Sequence, residues 1–165
     1  MSLLRRNARH WQLPCLAGFF FALAQPIFGQ VEIEEVSVRR LDAAHFKRLT
    51  EYFTGHESTG NRVLLRSDPA TRGGLYFTLE LSDEADNLPA GSQFRVQYIR
   101  PDLPDALEQL YPLPATNTAH HTVYLGLTGD TWPDSEALPL AFRVSLVGPD
   151  GQELDHYQSF LWEME

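Results

Sequence analysis

From residue 62 onward the chain is a series of short alternating runs, each closed by turn residues, and that spacing suits strands and leaves no room for helices of ordinary length. Residues 74–81 (GLYFTLEL) put Leu75, Phe77, Leu79 and Leu81 on one side, the period of two that a half-buried strand requires. Residues 93–100 (QFRVQYIR) turn Phe94, Val96 and Tyr98 inward and Gln93, Arg95 and Gln97 outward. Residues 62–66 (RVLLR), 122–127 (TVYLGL) and 140–147 supply further strands, the last with Phe142, Val144 and Leu146 on one face. Residues 106–113 read as an edge strand or a short helical turn, because Pro112 would interrupt a central ladder. The turn Gly148-Pro149-Asp150-Gly151 leads into a strand expected over 154–162 and makes the best hairpin in the chain.

Upstream, Val31, Ile33, Val36 and Val38 alternate with Glu and Ser, which predicts a first strand over 31–40 with a bulge at Glu34-Glu35. Asp42 then caps a short helix running to Phe53, with Ala43, Phe46, Leu49 and Phe53 on one face and Gly55 closing it. Thr50, Tyr52 and Phe53 also favour extended backbone, so part of this segment could be strand. Seven or so short strands with one short N-terminal helix describe an all-β fold. The expected architecture is an antiparallel β-sandwich that resembles the immunoglobulin and fibronectin domains in layout only, since the antibody cysteine pair is absent and no family motif is matched. Such sandwiches host many functions, so the fold class does not choose among them.

The first 30 residues differ from the rest. Arg5, Arg6 and Arg9 precede an apolar run over 13–24 (LPCLAGFFFALA), too short to span a bilayer comfortably, and Ala22-Leu23-Ala24 is a small-x-small pattern. This predicts a secretory signal peptide over 1–29, cut after Ala24 or Gly29, and a single domain over 30–165 that is periplasmic or extracellular. Cys15 is the only cysteine, and its surroundings make a poor lipobox, so the mature chain is expected to carry no thiol chemistry. Taking the three arginines from 13 basic residues leaves 10 against 22 acidic ones, a net charge of −12. That balance argues against nucleic acid and anionic lipid as partners.

The stretch LGLTGDTWPD (125–134) is the most suggestive loop. Asp130, Asp134 and Glu136 place three carboxylates within seven residues, and Trp132 lies among them. Oxygen ligands could gather calcium there, although no EF-hand spacing is present, and an exposed indole flanked by carboxylates suits a sugar ring. Against this, a Trp before Pro in a loop between core strands also serves as a lid on the core, with Gly126 allowing close backbone approach and Gly129 supplying a positive-φ turn. Adjacent His120 and His121 would point to opposite faces of a strand, which makes them poor co-ligands. The chain has no nucleophile elbow and no phosphate-binding glycine loop, and no carboxylate pair stands out, so no catalytic residue, metal or cofactor is expected. The run Phe160-Leu161-Trp162 either packs under a cover, for which the helix over 42–53 is a candidate, or forms a docking edge. The resulting expectation is an exported, soluble, non-enzymatic domain that binds or scaffolds another envelope protein through 129–136 and its C-terminal edge. The alternative is a small carbohydrate- or calcium-binding module built on Asp130, Trp132, Asp134 and Glu136.

Overall fold

The computed structural model describes residues 31–58, 60, 62–82, 85, 87–114, 121–133 and 137–164. The expected signal segment, Cys15, His120, Asp134 and Glu136 lie outside them. Most of the described chain is β-strand: β1 (Ile33–Leu41), β2 (Val63–Arg66), β3 (Gly74–Leu81), β4 (Gln93–Ile99), β5 (Ala106–Pro112), β6 (Thr122–Thr128), β7 (Ala141–Val147) and β8 (Glu153–Gln158). They form two four-stranded sheets, β1-β3-β6-β2 and β5-β4-β7-β8. The fold is therefore all-β with few helices, and among the described residues no helix is long and apolar enough to cross a membrane.

Alternation decides which face each strand buries. Leu75, Phe77 and Leu79 of β3, Phe94, Val96 and Tyr98 of β4, Val123, Leu125 and Leu127 of β6, and Val144 and Leu146 of β7 meet in one core. Tyr111 of β5 reaches across it, and its hydroxyl donates to the Gly126 carbonyl of the other sheet at 2.9 Å. At the opposite margin the Ile33 amide of β1 donates to Asp155 Oδ2 of β8 at 2.6 Å. The expected irregularity in β1 is present, as a register shift between Ile33 and Glu35.

Three expectations are corrected. β2 pairs with β6 in parallel, so the sheets are not wholly antiparallel. The cause is topological: β2 and β3 lie on either side of β6, and a chain reversal that steps over β6 leaves β2 running with it. The helix expected over 42–53 is instead a 3-10 turn at Ala43–Phe46 and a short helix α1 at Leu49–Thr54, separated by extended backbone at Lys47 and Arg48. Gly55 does close α1 in the left-handed region, at φ 69°, whereas Asp42 makes no side-chain cap.

The third correction concerns the C-terminus, where the last strand stops at Gln158 and residues Phe160–Met164 wind into a 3-10 helix. Ser159 causes the change. Its hydroxyl accepts the Phe142 amide at 2.9 Å while its carbonyl accepts the Trp162 amide at 3.0 Å, which draws the backbone off the ladder. Phe160 and Leu161 are left 74% and 53% exposed, and the 42–54 segment does not cover them. That segment lies on the outer face of the first sheet, where the Phe46 ring meets those of Tyr76 and Tyr124 at centroid distances of 4.7 and 6.3 Å.

Candidate functional site

The loop selected from sequence is built first as a corner. Thr128, fully buried at the end of β6, is tied to the β2–β3 turn by reciprocal bonds: its amide donates to Ser67 Oγ, its hydroxyl accepts the Asp68 amide, and that hydroxyl donates to the Asp68 carbonyl. Asp68 in turn accepts the Ala70 amide and the Thr71 hydroxyl, which hold its carboxyl below the usual carboxylate range. Gly129 follows at φ 60°, and a Cβ there would stand 2.8 Å from Asp68 Oδ2. The chain then makes one 3-10 turn over Gly129–Thr131 and delivers Trp132 to the core.

Trp132 is 6% exposed, with its ring 5.9 Å from that of Tyr98. Arg100 seals the outside: its guanidinium lies 5.7 Å from the indole centroid, donates to the Thr131 carbonyl at 3.4 Å, and pairs with Asp102 at 2.6 Å. The Arg100 partner holds the Asp102 carboxyl below its usual value. The indole thus occupies the lid position, and its face is not open to a sugar. Asp130 is exposed beside it. Among the described residues no three His, Cys, Asp or Glu side chains are grouped to hold a metal ion; Asp134 and Glu136 lie outside those residues.

Beyond the lid, the same arginine opens onto a different feature. Ile99, Arg100, Pro101, Leu103, Leu140 and Leu161 line a shallow groove of about 430 Å³, closed by Asp102, Pro104 and Ala141. It lies where the β4–β5 turn, the start of β7 and the C-terminal 3-10 helix meet, and the Leu140 amide donates to the Ile99 carbonyl to hold that corner. Leu103, Leu140 and Leu161 are 40%, 53% and 53% exposed, and their chain neighbours Leu138 and Phe160 are open as well.

The two surfaces singled out from sequence therefore converge on Arg100, which contacts the loop with one edge and lines the groove with another. The groove itself was missed, because Leu103 stands alone between two prolines and no sequence pattern brings it beside Leu140 and Leu161. Comparisons with protein-family models, with curated proteins and with solved structures find no match for this chain.

Proposed function

We propose that this chain is an exported, soluble, non-enzymatic domain that acts by binding or scaffolding another protein of the cell envelope. The observation that carries the reading is the groove beside Arg100. Among the described residues eight large hydrophobic side chains stand exposed; Leu103, Leu140 and Leu161 line the groove, with Phe160 and Leu138 one and two residues away along the chain. Apolar side chains gathered at one end of a domain and rimmed by a charged pair are the usual form of a protein contact. Strand order supports the finer architecture, a β-sandwich of the immunoglobulin or fibronectin type. β1-β3-β6 and β4-β7-β8 run in the order of the A-B-E and C-F-G strands of such domains, with β5 beside the C position. The carbohydrate- or calcium-binding alternative has less support, since the indole that would stack on a sugar is buried.

Site-specific photo-crosslinking in the exporting cell tests the reading. A crosslinker at Leu140 is expected to trap one discrete envelope protein that a crosslinker at Glu34, exposed on β1, does not trap, and Leu161→Glu is expected to abolish the product. Identical products from both positions, or none from Leu140, would remove the docking role. A melting temperature raised by calcium or by a glycan would restore the alternative.

A further inference from the structure

The charge of the chain is distributed very unevenly. Seven of the 10 basic residues that follow position 30 fall between 39 and 72, and four of them, Arg48, Arg62, Arg66 and Arg72, stand on or beside the outer face of the first sheet. Two of these cations are consumed locally. Arg66, its side chain only 6% exposed, makes a bidentate pair with Glu57 at 2.8 and 2.6 Å, and Arg72 pairs with Glu51 at 2.8 Å. Glu51 and Glu57, the carboxylates of the 42–58 segment nearest this face, are thereby neutralised.

Arg48 and Arg62 remain. Neither guanidinium has a carboxylate partner among the described residues, and the two flank a recess of about 20 Å³ lined also by His45, Phe46, Ser58, Leu64, Tyr124 and Glu57, whose carboxylate is already taken up by Arg66. Both arginines are positioned. Arg62 lies over the Tyr124 ring at 5.4 Å, an arrangement that leaves its N–H edge free to donate. Arg48 packs against Gly60, where φ is 65° and a Cβ would come within 2.8 Å of its guanidinium. Any side chain at 60 would be strained and would displace the arginine.

We propose that this recess binds a carboxylate group of a ligand, held between the forks of Arg48 and Arg62. One guanidinium fork matches the two oxygens of a planar carboxylate, and a second can donate to their remaining lone pairs. The enclosed volume is little more than that of one water, which needs roughly 10–15 Å³, so the carboxylate would seat at the mouth of the recess, between the arginines. Phe46 and Leu64 offer apolar contact to the carbon that bears it. The site lies on the first sheet, apart from the groove on the second, and does not depend on the docking role. An acidic sugar and an acidic side chain share this chemistry, and the probes separate them.

Titration calorimetry of the purified mature chain with galacturonate, N-acetylglutamate amide, galactose and inorganic phosphate is the test. At least one of the two carboxylates is expected to bind, and whichever is tighter identifies the source. Galactose is expected not to bind, and phosphate to bind more weakly. Arg48→Ala and Arg62→Ala should each weaken binding by about tenfold or more, as loss of a charged hydrogen-bonding partner does. Arg48→Lys should weaken it several-fold because the fork is lost, and Arg39→Ala with Lys47→Ala should leave it within about twofold. Should a variant fail to fold, carboxylate-induced shifts of the arginine Nε–H signals in the wild-type protein report the same contact. No heat with either carboxylate, phosphate binding as tightly as both, or equal loss in the Arg39/Lys47 variant would overturn the proposal.

Discussion

Two short helical segments flank the sheets, and they meet their neighbours in opposite ways. The segment over 43–54 is fastened by charge and one aromatic: Glu51 and the following Glu57 engage Arg72 and Arg66, and Phe46 lies on Tyr76 under the Arg66 guanidinium, 5.0 Å from its centroid. The segment over 160–164 is fastened by backbone turns at Ser159 and leaves Phe160 and Leu161 in solvent. Both are rich in aromatics, and both carry exposed ones, since Tyr52 and Phe53 also stand open. What distinguishes them is whether the sheet beneath offers a seat. Gly126 provides one for Tyr76, because a Cβ there would stand 2.5 Å from the ring, and the buried Tyr76 then presents a face to Phe46. Phe160 finds no comparable seat and stays 74% exposed.

The comparison breaks most sharply at Arg66. Replacing it with alanine leaves Glu57 only its longer, 3.8 Å contact with Arg72 and removes the 2.8 Å bond that Arg66 Nε donates to the Tyr76 hydroxyl. Breaking a largely buried pair from one side is expected to cost about 3 kcal/mol, read as a lower denaturant midpoint with loss of amide protection over 43–54. Gly126→Ala is next, at about 1–3 kcal/mol, because the added methyl must displace the Tyr76 ring in a closed space. If Gly126→Ala proves neutral, the seat is not what holds the first segment down.

These residues also show how much was legible beforehand. β3 and β4 were readable to within a residue because each buries one face, and the period of two reports that burial directly. Tyr76 was not readable: it occupies an outward position, and its burial comes from the gap at Gly126 on β6, far away in sequence, together with the cover of Phe46 and Arg66. The C-terminal run looked like strand because three apolar residues in a row satisfy that pattern. A single serine bonded to Phe142 redirects the backbone, and no local propensity records that bond. Trp132 was legible as a lid because Gly129 announces the turn that carries it inward. The net charge, −9 over the full sequence, concealed the basic recess, since a sum carries no positions; the crowding of basic residues between 39 and 72 was the available signal.

Acid sharpens the comparison with a smaller effect. The Arg66 hydrogen bonds hold the Glu57 carboxyl below the usual value of 4.5, and the Arg72 bond does the same for Glu51. A carboxylate whose folded pKa is depressed stabilises the fold above its unfolded pKa and loses that contribution as pH falls through the folded one. Amide protection over 43–54 should therefore fall between about pH 5 and pH 3 while protection over 160–164, which has no such pair among the described residues, holds until global unfolding. Glu51→Gln together with Glu57→Gln should abolish most of the difference between the two segments. A parallel loss in both would mean that the ion pairs do not fasten the first one selectively.

The smallest expected change tests the other half of the contrast. Phe160→Ser removes a large ring that is 74% exposed, and Leu161→Ser a side chain that is 53% exposed, so little apolar surface returns to water on unfolding in either case. Each should shift stability by less than about 0.5 kcal/mol, the range of surface substitutions that break no buried contact. The same changes should lower the tendency of the purified protein to associate, because they remove apolar surface that has no internal partner. A cost above about 1 kcal/mol for Phe160→Ser would show the ring to be part of the fold's own packing. The C-terminal segment would then be a cover like the first, and the groove beside Arg100 would lose its claim to be held open for another molecule.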